Sequence, residues 1–434
     1  MPENPPPPAH RLVIVGGGVA GLEVASTLAR RHGQRLAITL IDRDSAHVWK
    51  PMLHTIAAGT RDVSQQQATY VAQARDAGFV YEPGELAALD RNARQITLAP
   101  LHAADGRLLI PERQCGYDTL LLAVGSQAND FGTPGVAEHC MRIDSRQQAN
   151  AFNDEMRLRV LQCLAQDGQL SIAIVGGGAT GVELAAELVQ AVESAVAYGA
   201  ADLPERISLT LIESGPDLLA AFPHDISAAT RERLERLGIR VLTDARVTAA
   251  DADGFVLADG SRVEASLKVW AAGVKAPEVL ARLDGLETGR SQQLLVRPTL
   301  QTTADERIFA IGDCASLTLP GAERPLPPTA QVAHQQAQHL IDHLPGALFE
   351  GRAIPDFKYH DFGALVSLGE YDAFGSLGQF GFLKGTTFRG WLAQFSHVML
   401  YRSHQARLHG FVGGSLRWLI DLLGRGTRDS IKLT

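Results

Sequence analysis

Two sets of glycines carry the most specific chemistry in this chain. Gly16, Gly18 and Gly21 lie in VIVGGGVAGLEV (13–24), and Gly176, Gly178 and Gly181 lie in AIVGGGATGVEL (173–184). Each set reads G-x-G-x-x-G, a pattern that cradles the pyrophosphate of a dinucleotide. The first glycine allows a tight turn, the second lets backbone approach the phosphates, and the third lets helix pack on strand. The helix that follows offers free N–H groups and a positive dipole end to the anion. A carboxylate follows each turn, Asp42 in the first case and Glu213 in the second. Asp42 stands about 20 residues or slightly more beyond its turn, where a ribose diol is bound. No Ser-His-Asp or metal-ligand constellation accompanies them. The chemistry expected is therefore that of bound cofactors, with the protein supplying position and charge.

The elements around these residues have the order such a site needs. LVIV (12–15) is a short apolar strand, a helix pattern runs from Val19 to about Arg31, and the next strand, LAITLID, ends in Asp42. The second copy has SIAIV (171–175), a helix, then ISLTLIE ending in Glu213 after an Ala-rich stretch with Tyr198 and Pro204. Ala20 and Thr180 hold equivalent places just inside the two helices. TLLLAVGS (119–126), with Ala123 and Gly125, reads as a buried strand ending in a glycine turn, and KVWAAGV (268–274), with Ala272 and Gly273, is its counterpart. RIFAIGDCA (307–315) is a strand that runs into Asp313. In a flavin site Asp313 accepts hydrogen bonds from ribityl hydroxyls; its plain alternative is a turn or N-cap aspartate. The pairing expected is one tightly held flavin dinucleotide and one exchangeable nicotinamide dinucleotide. Glu213 favours a free ribose over a 2′-phosphate by repulsion, hence NADH, while Arg206 keeps NADPH open.

At 434 residues the chain suggests two or three domains, and 45% apolar against 20% charged residues suits a large core. Cys115, Cys140, Cys163 and Cys314 form no close pair, which argues against a disulfide framework, a zinc knuckle or a redox dithiol. The leader MPENPPPPAH lacks the apolar run of a secretory signal. No stretch of 18 apolar residues predicts a spanning helix. The net charge of −8 gives no reason to expect nucleic acid as a partner. From Lys384 onward, however, eight Lys or Arg stand against two Asp, a net of +6, which leaves the remainder at −14. Leu416, Leu419, Ile420 and Leu423 make an apolar stripe with Trp418 beside it and Arg417, Asp421 and Arg425 on another face. Upstream, Trp391, Leu392, Phe395, Val398 and Met399 form a second apolar stretch before Arg402 and Arg407. Such segments fit helices lying in an anionic bilayer interface, and equally fit dimer or core helices.

Several segments are more specific. HVWKPMLHTIAAG (47–59), the turn at 173–188, VWAAGVKAP (269–277), LQTT (300–303), IGDCAS (311–316) and AQVAHQQA (330–337) together resemble bacterial type II NADH dehydrogenase, over about residues 10–434. That family is the single-subunit, non-pumping NADH:quinone oxidoreductase of respiratory membranes. The resemblance implies an α/β fold with two Rossmann-like dinucleotide-binding domains and a C-terminal membrane-associating region. It implies FAD in the first domain, NADH on the second, membrane quinone as acceptor, a homodimer, and a peripheral place on the cytoplasmic face of the cell membrane. The divisions expected are a leader (1–10), the FAD domain in two parts (11–145 and 296–355), the NADH domain (146–295) and C-terminal strands and amphipathic helices (356–434).

The resemblance also assigns roles. Gln331 and Gln335 would border the quinone, and they sit at i and i+4 on one face of an expected helix. A neutral amide hydrogen-bonds a quinone carbonyl without fixing a charge; the alternative is a polar face bonded to backbone. Glu183 would stand between nicotinamide and quinone, for proton delivery or positioning. Its alternative is a helix-dipole carboxylate, as Glu23 at the equivalent place in the first copy suggests. Lys50 would pack at the flavin and stabilise its anionic reduced form, or else is a solvated loop lysine. Lys384 would touch quinone, or else marks a basic turn. The rivals are a soluble NADH-dependent ferredoxin or rubredoxin reductase, which needs no apolar tail, and sulfide:quinone oxidoreductase, which needs paired cysteines. From another class, a flavin-binding redox sensor would carry both turns with little turnover.

Overall fold

The computed structural model describes residues 9–60, then 68–376 apart from 104, 167, 198, 199 and 370, then 387–390, and Ala393, Ser396, Met399, Arg402, Ser403, Ala406 and Arg407. Along the chain come β1 (His10–Val15), α1 (Val19–His32), β2 (Leu36–Asp42), α2 (Leu53–Ala58), β3 (Val80–Pro83) and β4 (Thr119–Leu122). Then follow α3 (Arg146–Ala165), β5 (Leu170–Val175), α4 (Ala179–Ala197), β6 (Ile207–Ile212), β7 (Arg240–Leu242) and β8 (Leu267–Trp270). Last come β9 (Ile308–Ala310), α5 (Ala330–Glu350), β10 (Ala364–Leu368), β11 (Asp372–Ser376) and β12 (Thr387–Arg389).

The residues cluster into two units. Unit one takes Met1–Trp49, Gln66–Gln127 and Val274–Tyr359; unit two takes Lys50–Gln65, Ala128–Gly273 and His360–Thr434. Residues 128–145 pack on the second sheet: Met141 bridges Val269, and the indole Nε1 of Trp270 donates to the carbonyl of Asn129 at 2.8 Å.

Unit one holds a parallel sheet in the order β9-β4-β1-β2-β3. Its central strand reads as an unbroken apolar run because both faces are covered: Leu12 and Ile14 are fully buried. Unit two repeats the plan with β7-β6-β5-β8, again all parallel. Ile14 pairs with Leu40 on one side and Leu121 on the other, as Ile174 pairs with Leu211 and Val269. Each sheet therefore reverses strand order beside its first strand, where a nucleotide crevice opens at the C-terminal ends. Each unit also interrupts one crossover, β3 to β4 in unit one and β7 to β8 in unit two, with a three-stranded antiparallel sheet. These comprise Leu86–Asp90, Gln95–Leu98 and Arg113–Gly116 in unit one, and Val247–Ala250, Gly254–Leu257 and Arg262–Glu264 in unit two.

One buried charge breaks the apolar pattern. Lys268 in β8 is buried, but its Nζ donates to the carbonyls of Ala252 (2.7 Å) and Ala265 (3.0 Å). Burial lowers its pKa.

Helix α5 packs on α1. Thr329 caps it, its hydroxyl accepting from the N–H of Val332, and Gly351 closes it at φ +66°. In unit two β10, β11 and β12 form an antiparallel sheet, and β10 lies against α4. Among the described residues no helix is long and apolar enough to cross a membrane. The stripe at 416–423 lies outside the described residues. Of the upstream stretch, Met399, Arg402 and Arg407 are described, and all three are helical.

Candidate nucleotide and proton sites

Gly16 has φ +104°, and a Cβ there would stand 2.3 Å from the carbonyl oxygen of Ala123. At Gly21 a Cβ would meet the Gly16 carbonyl at 1.9 Å, and at Gly17 the Tyr70 ring at 2.5 Å. Those three are glycines because protein fills the space. Gly18 is different. Its φ is −65°, which any residue adopts, and an added Cβ would meet no atom within 4 Å. Among the described residues nothing requires glycine there, and the open space lies at the N-terminus of α1. It fits the pyrophosphate of a dinucleotide.

Asp42 holds that turn. Its Oδ2 accepts from the Gly17 N–H at 2.6 Å and its Oδ1 from the Asp44 N–H at 2.8 Å. Burial raises its pKa against these two bonds. The Tyr70 hydroxyl donates to the Gly17 carbonyl at 2.8 Å, and Nδ1 of His47 lies 2.9 Å from the same oxygen. Ala20 is buried, and so is Ala123 at the end of β4. Beyond β4, Gly125 turns the chain at φ +71°, and the Ser126 hydroxyl donates to Asp313 Oδ2 at 2.7 Å. Asp313 is itself placed by Gln336, whose buried Oε1 accepts from the Gly312 N–H at 2.7 Å, and by Gln293, whose Nε2 donates to the Asp313 carbonyl at 2.9 Å.

The second turn repeats the first. Gly176 (φ +115°) lies against Ala271 and Ala272, where a Cβ would come within 2.8 Å of backbone. A Cβ on Gly181 would stand 2.0 Å from the Gly176 carbonyl, and one on Gly177 would meet Leu218 at 2.6 Å. Gly178 again faces open space, with nothing within 4 Å of an added Cβ, and Thr180 beside it is exposed. Glu213 Oε2 accepts from the Gly177 N–H at 2.7 Å, and Oε1 accepts from the Gly215 N–H at 2.8 Å and the Ser214 hydroxyl at 3.0 Å. Arg206 stands at the start of β6 and Glu213 just past its end. Arg206 pairs with Asp202 and donates to the carbonyl of Cys163 at 3.2 Å. A six-residue strand separates it from Glu213, roughly 20 Å, so it does not serve a 2′-phosphate there.

Glu183 is buried on the second turn of α4. His54 of α2 places Nδ1 3.4 Å from Glu183 Oε2, and the Ser367 N–H of β10 donates to Oε1 at 3.1 Å. Glu187, also buried, accepts from the Thr60 hydroxyl. Burial pushes the Glu183 carboxyl up to about 8, with the Ser367 bond opposing and Glu187 adding to the rise. Glu23, at the equivalent place on α1, meets Nδ1 of His334 at 2.7 Å. His334 lies on α5 between Gln331 and Gln335, which are half-buried in the first turns of that helix. Lys50 begins a 3₁₀ turn, Lys50–Met52, in unit two. Lys384 lies outside the described residues. A cavity of about 1020 Å³ in unit two is lined by Ser171, Leu267 and Lys268, at the ends of β5 and β8 away from the glycine turn. All four cysteines are free.

The residues that sequence reasoning missed are partners from distant segments: His54, His334, Gln336, Tyr70 and Ser367. The middle glycines, Gly17 and Gly177, had a visible signal in the unbroken GGG of each turn.

The pyridine nucleotide-disulphide oxidoreductase family matches residues 10–337. The type II NADH:quinone oxidoreductase of Haemophilus influenzae is 40% identical, covering 97% of this chain and 99% of that protein. That of Staphylococcus saprophyticus is 28% identical, covering 84% and 89%. In fold the chain is similar to NDH2 from Plasmodium falciparum solved with NADH (TM-score 0.81, 20% identity, 97% and 99% covered). It is also similar to sulfide:quinone oxidoreductase from Aquifex aeolicus (TM-score 0.72, 18% identity, 93% and 92% covered).

Proposed function

Because this chain belongs to the pyridine nucleotide-disulphide oxidoreductases and, among them, to the type II NADH:quinone oxidoreductases, we propose that it oxidises NADH and reduces quinone at a membrane surface without moving protons across it. It is an FAD-dependent enzyme with NADH as electron donor. The observation that carries this reading is the duplicated turn, in which Gly18 and Gly178 each keep open space at a helix N-terminus.

FAD, when bound, supplies the two-electron centre that links NADH oxidation to quinone reduction. Gly16, Gly18, Ala20 and Gly21 cradle its pyrophosphate, with Asp42 fixing the turn toward the adenosine ribose. Ala123 and Gly125 would bring backbone close to it, and Asp313, placed by Ser126 and Gln336, would accept from its ribityl hydroxyls. Gly176, Gly178, Thr180 and Gly181 hold NADH, Glu213 orders the ribose side, and Ala272 and Gly273 line the other side of the turn. The net reaction takes NADH, quinone and one proton to NAD⁺ and quinol, so one proton must come from solution. Glu183 is the group suited to hold it, since a carboxyl raised to about 8 stays protonated at neutral pH. Gln331 and Gln335 offer amides to the quinone carbonyls. Lys50 and Lys384 take the electrostatic and quinone-contact roles that the family implies. The basic, apolar tail from Lys384 supports attachment to an anionic leaflet, and the family resemblance carries the cytoplasmic face and the homodimer.

The test is spectroscopic. NADH added without oxygen to the purified yellow protein should bleach it at once, and a water-soluble quinone should restore the colour. A colourless protein that takes up no flavin, or a yellow spectrum untouched by NADH, removes the reading.

A further inference from the structure

We propose that Phe131 forms the wall of the NADH site on its nicotinamide side. The inference rests on reading Gly176–Gly181 as the NADH turn and deepens that reading.

Phe131 holds its backbone at φ +51°, a region that bulky side chains avoid. Leu219 and Leu300 share that strain, but they are 2% and 0% exposed, so burial offsets it. Phe131 is 66% exposed. Its strain is held in place by bracing instead. The Phe131 N–H donates to Asn129 Oδ1 (3.0 Å) and the Gly132 N–H to Asp130 Oδ1 (3.2 Å). Arg142 clamps Asp130 at 2.7 Å, and Trp270 and Ala272 anchor Asn129 through its backbone. Strain of this kind, imposed by surrounding bonds, concentrates at ligand sites.

The ring lies against Gly273, where a Cβ would stand 2.4 Å from Cζ. Gly273 follows β8, and β8 flanks β5 on the side opposite β6. Glu213 marks the β6 side as that of the adenosine ribose. The β8 side is therefore the nicotinamide half, and Phe131 presents an open aromatic face there. The planar nicotinamide ring is the occupant such a face suits.

The full-length holoenzyme carries the test, with ADP-ribose, which is NADH without its nicotinamide ring, as a probe of the rest of the dinucleotide site. Phe131→Ala should raise KM for NADH roughly five- to tenfold, the size of one aromatic contact, and leave inhibition by ADP-ribose unchanged. Phe131→Tyr should restore KM. Phe131→Gly relieves the backbone strain, so it should melt no lower than Phe131→Ala while binding NADH as weakly. A merely structural residue would move stability and affinity together. An unchanged KM overturns the proposal, and so does an ADP-ribose constant that rises in step with KM. Gly178→Val, which fills the phosphate space, should weaken both ligands. If it weakens neither, the turn assignment itself has failed, and that failure is distinct from one at Phe131.

Discussion

Glu183 Oε2 lies 3.4 Å from Nδ1 of His54, with both side chains buried and Glu187 one turn further along α4. Burial penalises a charged carboxylate there and Glu187 adds to that penalty, so Glu183 keeps its proton at neutral pH. Glu183 is raised to about 8, and quinone reduction should therefore fall as pH rises through about 8. Glu183→Gln should lower that rate roughly 100-fold and flatten the alkaline limb. Stability follows the same shift. In the unfolded chain this carboxyl ionises near its ordinary value of 4.5, and in the folded chain near 8. Its contribution is thus full below about 4.5 and is lost as pH rises toward 8. Urea unfolding of Glu183→Gln against the natural protein should show the variant gaining relative stability between those limits. A variant with the natural pH profile for quinone reduction removes Glu183 from the proton step.

Filling the two open spaces should separate the cofactors. Gly18→Val is expected to give protein that purifies without flavin. Gly178→Val should keep its flavin and raise KM for NADH at least about tenfold, since it denies the pyrophosphate its place at the helix end. Flavin-to-protein absorbance ratios and steady-state kinetics check both. Flavin loss in Gly178→Val and not in Gly18→Val would invert the cofactor assignment.

On the proposed reading Glu213 disfavours a 2′-phosphate by charge, while Arg206 is turned to Asp202 and the Cys163 carbonyl. Glu213→Gln retains an acceptor for the Gly177 N–H and drops the repulsion. Its kcat/KM for NADPH should rise about tenfold relative to NADH. A ratio that does not move would place the nucleotide's ribose elsewhere.

Gln336 is buried, and its amide oxygen satisfies the Gly312 N–H beside Asp313. Gln336→Leu leaves that donor unpaired, at a cost of about 1–3 kcal/mol. Thermal melting should show the loss, and dialysis should strip flavin faster, because the turn that places Asp313 loosens. Equal flavin retention would confine Gln336 to a structural role.

By helical spacing in the sequence, Arg417 and Arg425 fall off the apolar stripe expected at 416–423. Changing both to Glu should abolish sedimentation with anionic vesicles, each basic residue near such a surface being worth about 1 kcal/mol. Activity with a water-soluble quinone should persist. Continued binding to anionic vesicles would leave the tail without its proposed task.

Both glycine turns, and the carboxylates that end the following strands, were legible in the sequence. A G-x-G-x-x-G between an apolar strand and a helix has few conformations open to it, and its sterics involve near neighbours such as Gly16 against Gly21. The duplication and the parallel strands followed from the same local rules. Tertiary structure alone decided which group each carboxylate meets. Asp42 and Glu213 turned out to fasten the middle glycine of each turn. Glu183 and Glu23 share a motif and a helix position, yet one meets His54 of α2 and the other meets His334 of α5. Likewise the ring of Phe131 reached Gly273, and the amide of Gln336 reached Gly312, only through the folded chain. Backbone turns are set by atoms a few bonds apart, whereas a buried side chain's charge state is set by whatever distant segment packing brings within a few ångströms.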